Sequence, residues 1–337
     1  MAVRVTPERR GQARKDEARP TPPPAAANGS RGARTVHAQP MHEARIGRCS
    51  RPREACAEKS RRRAARQRPA VPAPVSSGRD STIEFRSVSV GGGPQEGSVM
   101  RLYLLDLGVM QPGNVPVPGY LIRADDGRTI LVDTGWPRSF VDTPRNPPGL
   151  SIEIKPEETV AARLAALGLD VSDIDYLICS HFDDDHSGNH DLFVNAELVV
   201  QREHYELARS GHPRFAANRA AWDHPSLRYS LVDGDVELVP GVELLETSGH
   251  VPGHQSVLVR LPVTGPVMLA IDAVMHSSMA DAATREMFVT DMDDEARIRR
   301  STRKVSDIAE ARGAALVVYG HDADQWATLR RAPAFYE

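Results

Sequence analysis

Short apolar runs that lead into an aspartate or a histidine recur along residues 100–337, and they restrict how the chain can fold. Each run has the length and composition of a buried strand. Helical spacing separates some of them, over residues 157–167 and roughly 293–311. Strands and helices that alternate in this way predict an α/β sandwich, with sheets inside and helices outside. The predicted strands are 101–106, 117–123, 129–133, 175–179, 197–200, 242–246, 255–261, 267–271 and 315–319.

The charge distribution divides the chain into a basic part and an acidic part. Residues 1–99 hold about 20 Lys and Arg against about 9 Asp and Glu, and residues 100–337 hold about 22 against about 36. Residues 1–80 are rich in Arg, Ala, Pro and Ser and show no helical or strand period. We therefore expect a disordered basic tail over 1–80, a linker or the start of the domain over 81–99, and one folded domain over 100–337.

The same charges limit the partners of each part. An acidic domain repels phosphate backbones, so we expect no nucleic acid to bind the domain. The arginine-rich run at 61–66 is either a solvated stretch of tail or a contact for nucleic acid or another anionic surface.

Cysteine content and hydropathy bear on the location of the protein. The three cysteines, Cys49, Cys56 and Cys179, match neither a disulfide framework nor a thiolate metal site. No apolar run is long enough to span a bilayer, and no apolar stretch follows Arg9 and Arg10 as it would in a secretory signal. These features predict a cytoplasmic protein without membrane contact, and they leave its oligomeric state open.

The densest set of possible metal ligands is the segment His-Phe-Asp-Asp-Asp-His at 181–186, directly after a predicted strand. Loops at strand ends often carry the functional groups of α/β proteins. In an extended loop alternate side chains point the same way, so His181, Asp183 and Asp185 can converge while His186 points to a neighbouring position. The alternative is a polar helix N-terminus whose histidines are incidental.

Three more strand ends carry a residue of the same kind. His250 stands in a turn bracketed by Gly249 and Gly253, Asp272 ends an apolar strand, and His321 follows the last strand. Any one of these residues alone would be explained as an aspartate that caps a turn or helix, or as a histidine held by a hydrogen bond. Four such fragments in one chain favour a metal-binding site.

Taken together, these motifs resemble the metallo-β-lactamase superfamily, and within it the N-acyl-homoserine lactonase branch, over about residues 100–337. The family pattern is H-x-H-x-D-H, a histidine in a T-x-G-H-x-P-G-H turn, an aspartate and a late Gly-His. Here it falls at 181–186, His250, Asp272 and His321. Residues 132–135 also match, with Asp133 in the position that supports the metal loop. The resemblance implies the αββα sandwich of that superfamily.

The resemblance also implies a set of metal ligands and a reaction. One divalent ion would be held by His181, Asp183 and His250, a second by Asp185, His186 and His321, and Asp272 would bridge them. Zinc is the first expectation for both ions. A metal-bridging hydroxide would attack the scissile carbonyl, and Asp185 could pass the proton to the leaving alkoxide.

Two positions depart from the family pattern. Asp183 stands where the second histidine of the signature is expected, and this harder ligand would suit iron, manganese or cobalt better than imidazole does. Met275 stands where lactonases of this branch often carry a tyrosine that contacts the substrate. Proton donation or polarisation would then come from Asp185, from the metals or from His276, which we include among the predicted substrate contacts.

The segment between residues 135 and 157 is predicted to form one lip of the substrate pocket. Its apolar Trp136, Phe140 and Leu150 would hold an acyl chain, or they pack the loop onto the sheet. Arg138 and Arg145 in the same segment could instead serve an anionic substrate.

Our prediction from the sequence is a dinuclear-metal hydrolase that opens a lactone ring, with N-acyl-homoserine lactones as the expected substrates and quorum quenching as the expected role. Three alternatives stay open at this point. The chain could be another hydrolase of the same fold, acting on a different lactone, a thioester or a phosphoester. It could be an iron-dependent oxidoreductase of that fold, because Asp183 is a carboxylate. It could also be a binding module without catalysis.

Overall fold

The computed structural model describes residues 86–87, 100–144, 146–285 and 294–337. The predicted disordered tail over 1–80, and the predicted linker over 81–99 apart from residues 86–87, lie outside these described residues. The strands are β1 Arg86–Ser87, β2 Arg101–Gln111, β3 Val115–Arg123, β4 Thr129–Val132, β5 Ser151–Glu153, β6 Tyr176–Ile178, β7 Glu197–Gln201, β8 Arg228–Val232, β9 Val236–Val239, β10 Val242–Glu246, β11 Gln255–Leu261, β12 Gly265–Ile271 and β13 Leu316–Tyr319. The α-helices are α1 Val160–Ala166, α2 Asp184–Ser187, α3 Arg202–Arg209, α4 Arg219–Trp222, α5 Glu295–Ala311 and α6 Ala323–Trp326.

These strands form two mixed sheets. The six-stranded sheet has the order β1-β9-β10-β11-β12-β13, and the seven-stranded sheet has the order β5-β2-β3-β4-β6-β7-β8. Strand β4 runs parallel to β6, and β12 runs parallel to β13. The carboxyl ends of each parallel pair therefore lie at the same edge of their sheet.

One apolar core lies between the two sheets and takes one face from each. Leu104 and Val132 of the seven-stranded sheet share it with Val257 and Leu269 of the six-stranded sheet. Successive residues of a strand point to opposite faces, so Leu105 packs into a second core on the outer face. Both faces of these strands are apolar, as the continuous runs predicted, and the predicted sandwich with internal sheets is confirmed.

Helices cover the outer faces of the sheets. Helix α1 buries Val160 and Leu164 in the outer core of the seven-stranded sheet. Helix α5 buries Val305 and Ala309 in the corresponding core of the six-stranded sheet. No helix in the described part of the chain is both long and apolar enough to cross a membrane.

The structure also contains elements that the sequence did not predict, among them β1, β5, β8, β9, α3, α4 and α6. Strand β9 also pairs with residues near the start of the described chain. Arg86 and Ser87 of β1 pair with Glu237 and Val236 of β9. The six-stranded sheet therefore includes residues that precede Met100.

Candidate metal centre

Five strand ends converge on one site. Strands β4, β6, β10, β12 and β13 lead into Asp133, His181, His250, Asp272 and His321, and these side chains are buried or nearly so. The backbone is left-handed at Asp133, with φ 57°, and at Ile271, with φ 51°. Residues other than glycine seldom adopt this conformation, and such strain concentrates at functional sites.

A first group of ligand-type atoms comes from His181, His250 and Asp272, and these atoms all lie within 4.8 Å of one another. Nε2 of His181 lies 3.7 Å from Oδ2 of Asp272, and Nε2 of His250 lies 3.3 Å from the same oxygen. His181 is fully buried, and burial lowers its pKa well below the usual value. Its imidazole is therefore neutral, which is the form that binds metal.

A second group comes from Asp185, His186 and His321, again within 4.8 Å of one another. Oδ2 of Asp185 lies 3.5 Å from Nε2 of His186 and 3.7 Å from Nε2 of His321. Burial alone would lower the pKa of His321, but Asp272 and Asp185 raise it to about 9. A proton and a metal ion would therefore compete for Nε2 of His321.

Asp272 joins the two groups through its separate carboxylate oxygens. Oδ2 faces the first group, while Oδ1 lies 3.6 Å from Nε2 of His186 and 3.1 Å from Nε2 of His321. Burial would raise the pKa of Asp272, but His321 and His186 hold it well below its ordinary value. Gly320 permits this close approach, because a Cβ atom there would lie 3.0 Å from Oδ1. The ionised carboxylate can bridge two cations a few Å apart.

Two features of these ligand-type atoms suit metal ions: several of them have no hydrogen-bond partner among the described residues, and the distances between them match metal coordination. Nε2 of His181, Nε2 of His186 and Oδ1 of Asp272 are buried and have no hydrogen-bond partner among the described residues. Buried polar atoms without a partner are rare because they are costly. Neighbouring ligand-type atoms of the two groups stand 3.1 to 3.7 Å apart, and ligands of a tetrahedral zinc ion stand about 3.4 Å apart. Each group could therefore hold a divalent ion.

Asp133 holds the loop that carries the second group. Its Oδ1 accepts a hydrogen bond from the backbone N of Ser180 at 2.9 Å, and its Oδ2 accepts one from the Ser180 hydroxyl at 2.6 Å. Nδ1 of His186 donates to Oδ2 at 2.8 Å. This leaves Nε2 of His186 as the nitrogen that faces Asp185 and Asp272, so Asp133 fixes both the tautomer and the direction of the ring.

Two further histidines position backbone rather than face the centre, and sequence reasoning missed the first. Nε2 of His204 accepts from the backbone N of Phe182 at 2.8 Å, and Nδ1 donates to the carbonyl of Pro252 at 2.8 Å. Nε2 of His254 accepts from the backbone N of Asp272 at 3.2 Å. His254 belongs to the Gly-His motif, whereas no motif marks His204.

Asp183 lies beside the first group but also has a partner that sequence reasoning missed. Its Oδ2 lies 3.3 Å from Nε2 of His181 and 3.2 Å from Nε2 of His250. Arg214 donates to both carboxylate oxygens of Asp183, from Nε at 2.7 Å and from Nη2 at 2.5 Å. The only sequence signal for such a partner was indirect: an extra carboxylate in an acidic site calls for a cation.

The predicted pocket residues lie in different surroundings. Trp136 is buried in the outer core of the seven-stranded sheet, and its ring stacks on Phe140 with centroids 5.7 Å apart. Phe140 and Asp184 line a cavity of about 320 Å³, and among the described residues Leu150 does not line it. His276 is partly exposed, with Nε2 3.5 Å from Oδ1 of Asp322.

Arg138 lines the same cavity, and it already has an anionic partner. Its guanidinium donates to Oδ1 and Oδ2 of Asp191 at 3.1 and 2.9 Å. The hydrogen bond to Asp191 raises the pKa of Arg138. An anionic substrate would therefore have to displace Asp191 from Arg138.

The chain can be compared with known proteins by sequence. A sequence model of the metallo-beta-lactamase superfamily matches residues 112–321. The N-acyl homoserine lactonase AttM of Azorhizobium caulinodans is 34% identical over 267 residues, which are 71% of this chain and 99% of that protein. The N-acyl homoserine lactonase AiiA of Bacillus thuringiensis subsp. kurstaki is 32% identical over 228 residues, 66% and 87% of the two chains.

Solved structures agree with the sequence matches. An N-acyl homoserine lactone hydrolase with the product N-hexanoyl-L-homoserine bound at its catalytic metal center matches with TM-score 0.61 and 28% identity, over 70% of this chain and 98% of that one. AidC, a dizinc quorum-quenching lactonase, matches with TM-score 0.52 and 16% identity over 74% and 95%, a likeness of fold alone. By fold, by motif and by relatives, this chain belongs to the metallo-beta-lactamase superfamily of metal-dependent hydrolases.

Proposed function

We propose that this chain uses two divalent ions to open the ring of N-acyl-homoserine lactones, and that it thereby quenches quorum signals. One observation carries the proposal: Asp272 turns one carboxylate oxygen to His181 and His250 and the other to His186 and His321. Relatives named N-acyl homoserine lactonase match most of this chain. A structural relative at 28% identity holds N-hexanoyl-L-homoserine as product at its metal center, which supports the same substrate class here.

In this proposal the chain holds the ions and sets their spacing. The ligands are His181, Asp183 and His250 for one ion, Asp185, His186 and His321 for the other, and Asp272 for both. When bound, the ions would lower the pKa of a nearby water and polarise the lactone carbonyl. Imidazole and carboxylate are common zinc ligands, so zinc is the ion we expect.

Asp185 is proposed to move the proton. Ring opening breaks the bond between the lactone carbonyl carbon and the ring oxygen and adds one water. The carbonyl carbon gains a hydroxyl and the ring oxygen gains a proton. The amide bond to the acyl chain stays intact. Burial raises the pKa of the Asp185 carboxyl. A carboxylate beside the reacting groups can accept a proton from water and deliver it to the leaving alkoxide.

Substrate contacts are proposed at four positions around the centre. Phe140 lies on the cavity wall, and Trp136 supports it through the stacked rings. Leu150 lies in the same lip segment, and His276 precedes the 3₁₀ helix Ser277–Met279 beside Asp322. An acyl chain that contacts the lip would lose water-exposed apolar surface, which favours binding. The expected partner is a small-molecule lactone, and a cytoplasmic location stays a prediction.

Product analysis tests the proposed reaction. Zinc-loaded protein would be incubated separately with N-hexanoyl-homoserine lactone, a thioester and a phosphodiester, and each product identified by mass spectrometry. We expect the lactone to gain the mass of one water without release of hexanoic acid. Free hexanoic acid, or cleavage of the thioester or phosphodiester without turnover of lactones, would contradict the proposal. Oxygen uptake by the iron-loaded protein would instead support the oxidoreductase alternative.

A pair of variants links this activity to the centre. Asp272→Asn keeps the shape of the side chain but removes its charge, and we expect kcat/KM for the lactone to fall at least about 100-fold. Asp175→Asn is the matched control, because Asp175 is exposed and bonds the backbone N of Thr129 away from the centre. If the two variants hydrolysed the lactone equally well, the reaction would not depend on Asp272.

A further inference from the structure

Arg214 stands against the first group of proposed metal ligands. It lies in the 3₁₀ helix Pro213–Phe215, and its side chain is 17% exposed. It holds Asp183 through two parallel hydrogen bonds, the strongest arrangement for an arginine and a carboxylate. The same Nη2 also donates to Nε2 of His250 at 2.9 Å. One guanidinium therefore contacts two of the residues proposed to hold this ion.

The contact with His250 uses the nitrogen that a metal ion would need. A neutral imidazole has one acceptor nitrogen, and Nε2 of His250 can serve either Arg214 or a cation, but not both. Asp183 is not limited in this way, because each carboxylate oxygen has two lone pairs. Asp183 can therefore bind a cation and keep Arg214, whereas His250 has to release Arg214 first.

The charge of Arg214 also changes what Asp183 contributes. From the sequence alone, Asp183 adds a negative charge to the first group. The two parallel hydrogen bonds from Arg214 pair the carboxylate of Asp183 with a full positive charge. The Arg214 charge offsets that of Asp183 and stays close to the place of the ion. Two positive charges a few Å apart in a buried site repel each other, which weakens cation binding.

Among the described residues, no arginine or lysine contacts the second group as Arg214 contacts the first. Across the described ranges, the side-chain hydrogen bonds and ion pairs of Asp185, His186 and His321 run to aspartates, histidines, Ser180 and the carbonyl oxygen of Pro116. None of them runs to an arginine or a lysine. Within the part of the chain that the structure describes, therefore, no guanidinium competes with a cation for the ligands of the second group.

We propose that Arg214 makes the two metal sites unequal. The ion at Asp185, His186 and His321 binds first and tightly. The ion at the first group binds second, more weakly, and in competition with Arg214. The inference rests on the proposed metal centre, and it means that the chain keeps one ion and exchanges the other with its surroundings.

Zinc titration of metal-free protein tests the inference without any lactone. Isothermal titration, extended by chelator competition for the tighter site, should resolve two dissociation constants in the wild type that differ at least about tenfold, or about 1.4 kcal/mol. Arg214→Gln removes both the charge and the bidentate donor. We expect its second ion to bind at least about tenfold tighter, with the first ion unchanged.

Arg219→Gln is the matched control. It removes the same charge from an arginine five positions later, which pairs with Asp223 rather than with a proposed ligand. Both zinc affinities should stay at their wild-type values in this variant. A tightening equal to that of Arg214→Gln would assign the effect to net charge in general and would overturn the inference.

The opposite substitution distinguishes this role from a structural one. Asp183→Asn keeps the shape and removes the ligand charge, so its second ion should bind at least about tenfold more weakly. A salt bridge that only holds the loop would be broken equally from either side, and both variants would shift zinc affinity in one direction. Opposite signs at Arg214 and Asp183 are the expected result.

Several outcomes would overturn the inference. One is equal zinc affinity at both sites in the wild type. Another is a second ion that binds Arg214→Gln with unchanged or weaker affinity. Thermal melting of each variant shows whether it folds, and Arg214→Met gives the same test if Arg214→Gln does not fold. A wild-type chain that bound no zinc would contradict the proposed function itself, which separates the two failures.

Discussion

At the scale of single residues, the centre depends on side chains that orient the proposed ligands. His186 presents Nε2 inward because Asp133 accepts a hydrogen bond from its other nitrogen. His204 joins the backbone of Phe182, next to His181, to the backbone of Pro252, two residues after His250. Such partners keep ligands in place before an ion arrives, so their loss should affect metal affinity more than folding.

Asp133→Asn tests this support. The asparagine amide has no negative charge and only one acceptor oxygen, so it cannot replace the carboxylate that accepts hydrogen bonds from Ser180 and His186. We expect zinc affinity at the second group to fall about 10- to 100-fold. Chelator competition measures the affinity, and Asp175→Asn at the opposite end of β6 serves as the control. Unchanged zinc affinity in Asp133→Asn, or the same loss in the control, would contradict this role.

His190 gives a prediction about stability in acid. It is buried, neither ring nitrogen has a hydrogen-bond partner among the described residues, and burial together with His186 lowers its pKa to about 3. The unfolded chain takes up a proton below about pH 6.5, whereas the folded chain does so only near pH 3. His190 therefore lowers the free energy of unfolding more and more as pH falls through this window, by about 2 kcal/mol at about pH 5.

Replacing His190 by Leu removes that cost. We expect the free energy of unfolding of His190→Leu, relative to wild type, to increase by about 2 kcal/mol between about pH 7 and about pH 5. Urea denaturation of metal-free protein at both pH values measures the difference. A difference that does not change with pH would show that the folded chain protonates His190 as readily as the unfolded chain does.

The predicted ligands that the structure brings together share one property. His181 to His186 lie within six positions, and His250, Asp272 and His321 directly follow strand ends, so local pattern was enough to find them. Arg214 and His204 could not be found in this way. Each reaches the centre from another element, and such contacts depend on tertiary packing rather than on spacing.

At the scale of elements, the continuous apolar runs gave the buried strands because both of their faces are covered. Strand β8, with the sequence Arg-Tyr-Ser-Leu-Val, was missed because it lies at a sheet edge and alternates in burial. Helix α3 was missed because it is mostly polar and buries only His204 and Ala208. Elements with few buried residues leave a weak periodic signal.

Strand β1 gives a prediction at this scale. A chain that starts at Met100 loses the pairing of Arg86 and Ser87 with β9, which is a two-residue addition to a sheet edge. We expect this shortened chain to fold, to stay soluble and to bind zinc with the affinity of a chain that starts at Thr82. Thermal melting and zinc titration of the two chains check this. Insoluble protein or lost zinc binding would show that residues before Met100 are required.

At the scale of the whole molecule, the proposed centre takes its ligands from both sheets. His181 and His186 follow β6 of the seven-stranded sheet, while His250, Asp272 and His321 follow strands of the six-stranded sheet. Ions bound between them would link the two sheets at one edge. A ligand that binds only the folded chain stabilises it, by about 4 kcal/mol at 1,000 times the dissociation constant.

We therefore expect zinc to raise the melting temperature and a chelator to lower it. The same comparison in Asp272→Asn should show a smaller rise, because the bridge between the groups is lost. Calorimetry at matched zinc concentrations measures both shifts. An equal rise in wild type and variant would mean that zinc stabilises the fold from another place.

The central claim is that Asp272 organises two metal ions in one hydrolytic centre, and metal content tests it most directly. Elemental analysis of protein dialysed to equilibrium against excess free zinc, with the zinc of the dialysate subtracted, should find about two ions per chain in the wild type. Asp272→Asn should retain about one or fewer. A wild-type chain that retains no more than one ion at saturation, or an Asp272→Asn chain that retains two, would contradict the account.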